Sequence, residues 1–120
     1  MALILYVEDH PPAQMLMQAI VGDITGHELL LADSGAVAQA LVHANSPDLY
    51  ILDLDLPDTD GIALAEALHR IHPAPVILVS AYAEAAAERA RSDFVSLYLA
   101  KPLDPDYVAE TIQRTLARPG

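Results

Sequence analysis

Five short apolar runs alternate with helix-like stretches along the chain, and that alternation limits its fold more than any other feature. The runs cover residues 2–7, 27–32, 48–54, 75–80 and 96–100. Tyr50-Ile51-Leu52 and Val76-Ile77-Leu78-Val79 have no polar face. A strand of that kind is buried on both sides, as inside a parallel sheet covered by helices. The stretches between carry helix signals. His10-Pro11-Pro12 opens one with proline in its first turn, Asp33-Ser34 can cap the next, Asp60-Gly61 starts a third, residues 83–91 have the propensity for a fourth, and Asp104 or Pro105 opens the last. Gly22 and Gly26 bracket the exit of the first, while Asn45-Ser46-Pro47 and His72-Pro73 stop the second and third. Helical spacing turns Met15, Leu16, Ala19 and Ile20 inward on the first helix and Val37, Ala40 and Leu41 on the second. Leu64, Leu68 and Ile71 face inward on the third, and Val108, Ile112, Thr115 and Leu116 on the last. Strict alternation predicts an α/β fold: a five-stranded parallel sheet, doubly wound, in one domain spanning residues 1–120.

Composition excludes several classes of function. The chain is 53% apolar, enough to fill one core. It has no cysteine, so disulfides and thiolate chemistry are out. No apolar run reaches the roughly 18 residues that span a membrane, and no basic segment precedes a signal-like core, so a cytoplasmic location is the expectation. The formal net charge is −11 and the six Lys and Arg residues are scattered, which is unsuited to binding DNA phosphates.

The acidic residues are not evenly spread. Solvated surface charge accounts for Asp23, Glu28 and Asp106. It does not account for Glu8, Asp9 and Asp53, which directly end apolar runs. Pro57 and Asp58-Thr59-Asp60-Gly61 then force a turn after Asp53. In open α/β sheets ligands bind beyond the carboxyl ends of the strands. Four of those ends are polar: Glu8-Asp9, Asp53, Ser80 and Lys101. Distant in sequence, they converge on one edge. Three carboxylates placed together repel at low dielectric, and either hold a proton between them or hold a cation. Mg²⁺ suits a site of few carboxylates, water and a phosphate oxygen. The Ser80 hydroxyl and Lys101 ammonium suit phosphoryl oxygens. The arrangement reads as a place where Asp53 accepts a phosphoryl group.

With Glu8-Asp9, Asp53 followed by Leu54-Asp55-Leu56-Pro57 and Asp60-Gly61, Ser80-Ala81, and Tyr98-Leu99-Ala100-Lys101-Pro102 in order, the chain resembles the receiver domain of bacterial two-component response regulators. The resemblance covers essentially the whole length. It implies a flavodoxin-like (βα)5 fold with strand order 2-1-3-4-5 and a phosphorelay role. By resemblance, Asp53 is the phosphoacceptor and Glu8, Asp9, Asp53 and the backbone carbonyl of Asp55 hold Mg²⁺. Ser80 is the switch hydroxyl, Lys101 pairs with the phosphoryl group, and Tyr98 is the aromatic switch. The Lys101–Pro102 bond is expected to be cis. Asp55 and Tyr82 line the approach of hydrolytic water, and the Tyr82 ring is expected to shield the phosphoryl group. The implied donor is a sensor histidine kinase or a histidine phosphotransfer protein. The implied recipient is a protein partner or an output domain outside this chain, and a homodimer of the phosphorylated form is left open. Such a domain is not a conventional enzyme, although it catalyses its own phosphorylation and slow dephosphorylation.

Two departures from the family pattern stand out. Phe94-Val95-Ser96-Leu97 replaces a small Gly-Ala pair before the switch aromatic, and residues 83–91 hold Ala, Glu and Arg alone. A helix of that composition buries little apolar area, so weak docking is expected, with Phe94 and Val95 packing in its place. Two other functions start from the same residues. One is a receiver-like module that binds partners without phosphorylation. The other is a haloacid-dehalogenase-type phosphatase built on Asp53-Leu54-Asp55. In that class the motif follows the first strand and is itself followed by Thr or Val, whereas here it follows the third and Leu56-Pro57 come next.

Overall fold

The computed structural model describes residues 1–81 and 95–117. β1 (Leu3–Val7) leads to α1 (Pro11–Ala19), which runs into a π-helical segment (Ile20–Thr25). β2 (Glu28–Ala32), α2 (Gly35–Ala44), β3 (Leu49–Asp53), α3 (Gly61–Ile71) and β4 (Val76–Ser80) follow. The described chain ends with β5 (Leu97–Ala100) and α4 (Pro105–Ala117). The helix expected over residues 83–91 lies outside the described residues, as do Tyr82 and Phe94. The sheet is parallel throughout, in the order β2-β1-β3-β4-β5, as expected.

Strand parity builds the two halves of the core. Ile4, Tyr6, Leu49, Ile51, Ile77, Val79 and Leu99 face one way, against Met17, Ile20, Val108 and Ile112. Leu5, Val7, Tyr50, Leu52, Val76 and Leu78 face the other way, against Ala38, Val42, Leu64 and Leu68. Each central strand therefore gives side chains to both layers, which is why its sequence has no polar face. Val95 packs against the second layer.

Three expected details are corrected. Met15 is 69% exposed, Ala19 is exposed as well and Met17 is fully buried, so the inward stripe of α1 is set by Met17 with Ile20 and Val21. On α2, Val37 and Ala40 face solvent and Ala38 and Val42 are buried, because the stripe starts from Gly35 pressed against the β3–α3 turn. Gly22 does not end the first helix: the backbone passes through it in π-helical form, and the exit is at Gly26, whose φ of 75° is left-handed.

Candidate functional site

The hydrogen-bond ladder continues one step past three strand ends, which sets the site residues level with one another. Glu8 N–H donates to Ala32 O at 2.9 Å, Leu54 N–H to Val79 O at 2.9 Å, and Lys101 N–H to Ser80 O at 2.9 Å. Glu8 follows Tyr6, Asp53 follows Ile51 and Lys101 follows Leu99 by two positions. All three thus stand on the sheet face that packs against α1 and α4. Ser80 follows Leu78 by two and Tyr98 is paired with Leu78, which puts both on the opposite face. Ser80 is buried and Tyr98 half-buried.

Lys101 Nζ donates to Glu8 Oε1 at 2.8 Å and to Asp53 Oδ2 at 3.4 Å. Glu8 is fully buried and Asp53 nearly so, whereas Asp9 and Asp55 are exposed at the rim. The Glu8 carboxylate also accepts the Tyr6 hydroxyl at 3.4 Å and the Asp9 amide at 3.1 Å. Asp53 Oδ1 accepts the Asp55 amide at 3.3 Å. The Lys101–Pro102 peptide bond is cis.

Burial pushes the Asp53 carboxyl up, and the hydrogen bond and negative charge of Glu8 push it further, to about 7; Lys101 and the Asp55 amide oppose this. Burial also acts to raise Glu8, but hydrogen bonds from Asp53 and Lys101 outweigh it and hold Glu8 below the usual range. The two carboxyls therefore shift in opposite directions, Asp53 being the one that holds a proton more readily. Burial disfavours the Lys101 ammonium, yet the two acids more than compensate and raise its value. Tyr6 is raised by burial and then by Glu8 and Asp53, so its hydroxyl remains a donor.

Among the described residues, Glu8, Asp9 and Asp53 form a group able to hold a metal ion, with one oxygen from each lying within 4.8 Å of the others. Hard oxygen donors with excess negative charge fit Mg²⁺. Three supporting residues were not read from the sequence. Tyr6 was legible through strand parity with Glu8. Gln14, whose Nε2 donates to Glu8 O at 2.6 Å, carries no sequence signal for that contact. Asp58 was read only as part of the turn, but its carboxylate reaches across to α2.

Sheet order and acidic edge together define a flavodoxin-like domain of the receiver class. Residues 4–113 match the response regulator receiver domain family, and the chain belongs to it. It is 33% identical over 114 residues to the positive alginate biosynthesis regulatory protein of Pseudomonas aeruginosa, covering 92% of this chain and 46% of that protein. It is 32% identical over 115 residues to the signal transduction histidine-protein kinase BarA of Escherichia coli, covering 92% of this chain and 12% of the kinase. The chain thus spans less than half the length of these curated relatives. Among solved structures, the response regulator protein TrrA of Thermotoga maritima, in complex with Mg²⁺–BeF, matches with a TM-score of 0.85 at 26% identity, over 96% of this chain and 99% of that one. Among the described residues, no helix is long and apolar enough to cross a membrane.

Proposed function

We propose that this receiver domain accepts a phosphoryl group from a phosphohistidine onto Asp53, with Mg²⁺ held by Glu8, Asp9, Asp53 and the Asp55 carbonyl. The observation that carries the reading is the junction of Lys101 with two buried carboxylates, Glu8 and Asp53, beside the exposed Asp9. Evolving a buried acidic pair with its own ammonium partner is costly for stability alone. As a phosphate site the same groups have a purpose.

The chemistry follows from the residues. Asp53 reacts as the carboxylate, any proton it carries passing to solvent water, and one of its oxygens attacks phosphorus in line with the donor. The P–O bond forms as the P–N bond breaks, and the electron pair returns to the imidazole nitrogen. Lys101, already within reach of Asp53, neutralises charge on the phosphoryl oxygens. When bound, Mg²⁺ supplies further neutralisation of those oxygens. The transition state of such transfers is loose, so positioning and electrostatics provide most of the rate. Ser80 and Tyr98, together on the other sheet face, are assigned the hydroxyl and aromatic parts of a switch that reports the modification to a protein partner.

Donor docking has a physical basis beside the site. His10, Pro12, Ala13, Leu16, Ala81, Pro102 and Leu103 join Lys101 around a mainly apolar cleft of about 500 Å³. An apolar wall next to the acceptor suits the helix of a sensor kinase or a histidine phosphotransfer protein that carries the phosphohistidine. Incubation with acetyl phosphate and Mg²⁺, followed by intact mass, tests the reading. A gain of one phosphoryl group is expected, absent from Asp53→Asn and abolished by EDTA. A gain of the same size in Asp53→Asn would overturn it. So would no gain from either acetyl phosphate or a panel of phosphorylated histidine donors, and a partner-binding module without phosphorylation would then be the better account.

A further inference from the structure

The turn that carries Asp55 is also anchored to the start of α2. Asp58 Oδ1 accepts the Gly35 amide at 2.8 Å, and its Oδ2 accepts the Ala36 amide at 3.0 Å. These are first-turn amides of α2, which no carbonyl inside the helix can satisfy. Ser34, the N-cap of that helix, takes the Val37 amide at 3.2 Å. A carboxylate from another part of the chain thus completes the cap, in a position that the helix dipole also favours. The two backbone bonds hold the Asp58 carboxyl below its usual range.

The contact is close as well as polar. A Cβ at Gly35 would stand 2.7 Å from Thr59 Cγ2 and 3.3 Å from Asp58 Oδ1. Local bonds set the shape of the turn itself. Leu56 N–H donates to Thr59 O at 3.2 Å, Gly61 N–H donates to Leu54 O at 2.8 Å, and Asp55 pairs with Asp60 in an antiparallel bridge. Asp60 Oδ1 caps α3 through the Ile62 and Ala63 amides at 2.9 and 2.8 Å. Asp60 therefore ties one end of the turn to α3, and Asp58 ties its tip to α2.

We propose that Asp58 is a positioning residue for the divalent cation: its hold on α2 fixes where the Asp55 carbonyl stands, so that the cation site is formed before the cation arrives. The inference rests on the reading of Glu8, Asp9, Asp53 and Asp55 as the ligands. Residues that orient ligands from behind change metal affinity about 10–100-fold. An anchor acting through a backbone turn belongs at the low end, about tenfold.

The test is a Mg²⁺ titration followed by amide chemical shifts, at a temperature where every variant is folded. Asp58→Ala should bind Mg²⁺ about tenfold more weakly than the wild type. Asp58→Asn, which keeps one acceptor oxygen, should fall between them, and it carries the comparison if the alanine variant does not fold. Ser34→Ala removes a cap from the same helix without touching the turn. It should lower the melting temperature and leave Mg²⁺ affinity unchanged. Wild-type affinity in the Asp58 variants, or equal weakening in Ser34→Ala, would overturn the inference while Asp9→Asn still tests the ligands separately. A wild-type protein that takes up no Mg²⁺ would overturn the ligand assignment and this inference together.

Discussion

Asp53 sits where a carboxylate is disfavoured until something positive joins it. Its folded value of about 7 lies above the ordinary 3.8, so the folded state binds the proton more tightly than the unfolded chain does. Without metal, stability should therefore fall as pH rises from about 4 to 7 and stay reduced above that. Glu8 acts in the opposite sense. Its lowered value adds stability above the usual glutamate range, and that stability is lost as pH falls. One pKa unit corresponds to about 1.4 kcal/mol, and the opposite shift of Glu8, which shares a hydrogen bond with Asp53, offsets part of the Asp53 cost. Asp53→Asn should then stabilise the EDTA-treated protein by roughly 1–3 kcal/mol at pH 8, and by much less at pH 4.5. Thermal melts across pH check this, and a gain that does not grow with pH would contradict it. The residue types at this site were legible because each ends an apolar run. How the carboxylates are balanced was legible only as two alternatives, a proton or a cation, since spacing along the sequence gives no distances.

At the scale of elements, two close fits carry the site. A Cβ on Gly61 would lie 2.6 Å from the Asp53 carbonyl oxygen and 2.8 Å from Leu78 Cδ1. A backbone oxygen cannot swing aside, so Gly61→Ala should destabilise the fold by about 1–3 kcal/mol and displace Asp53 as well. Urea unfolding reads the first effect and phosphorylation rate the second; a variant matching the wild type in both would contradict the fit. On α1, Met17→Ala should cost about 2–5 kcal/mol, whereas Met15→Ala should stay within about 0.5 kcal/mol. The same denaturation series separates them. The spacing of α1 allowed either methionine inward, because apolar residues crowd both sides of the helix; contact with Ile20 and the sheet selects Met17. For α2, too, propensity and capping located the helix, but its inward face depends on how Gly35 meets the β3–α3 turn, a contact between segments far apart in sequence. Strand content was the most legible feature, since burial on both sides leaves a run with no polar position.

The whole molecule concentrates negative charge: a net −11 on 120 residues, with three carboxylates gathered at one edge. A cation that binds the folded state alone stabilises it by mass action, about 2.7 kcal/mol at a concentration 100 times the dissociation constant. Mg²⁺ should thus raise the melting temperature well beyond NaCl at matched ionic strength, and Asp9→Asn should remove most of the difference. Equal effects of the two salts would reduce the acidic edge to general screening. The parallel sheet and its polar edge follow from alternation and from the residues that end each run, while the strand order came from the family resemblance and the anchoring of loops by Gln14 and Asp58 could not be read at all. The measurement closest to the central claim is chemical trapping of the acyl phosphate. The protein would be phosphorylated with acetyl phosphate and Mg²⁺, reduced with borohydride, digested and sequenced by mass spectrometry. The account predicts homoserine at position 53. Reduction at another acidic residue, or a stable label on a histidine with none at Asp53, would contradict it.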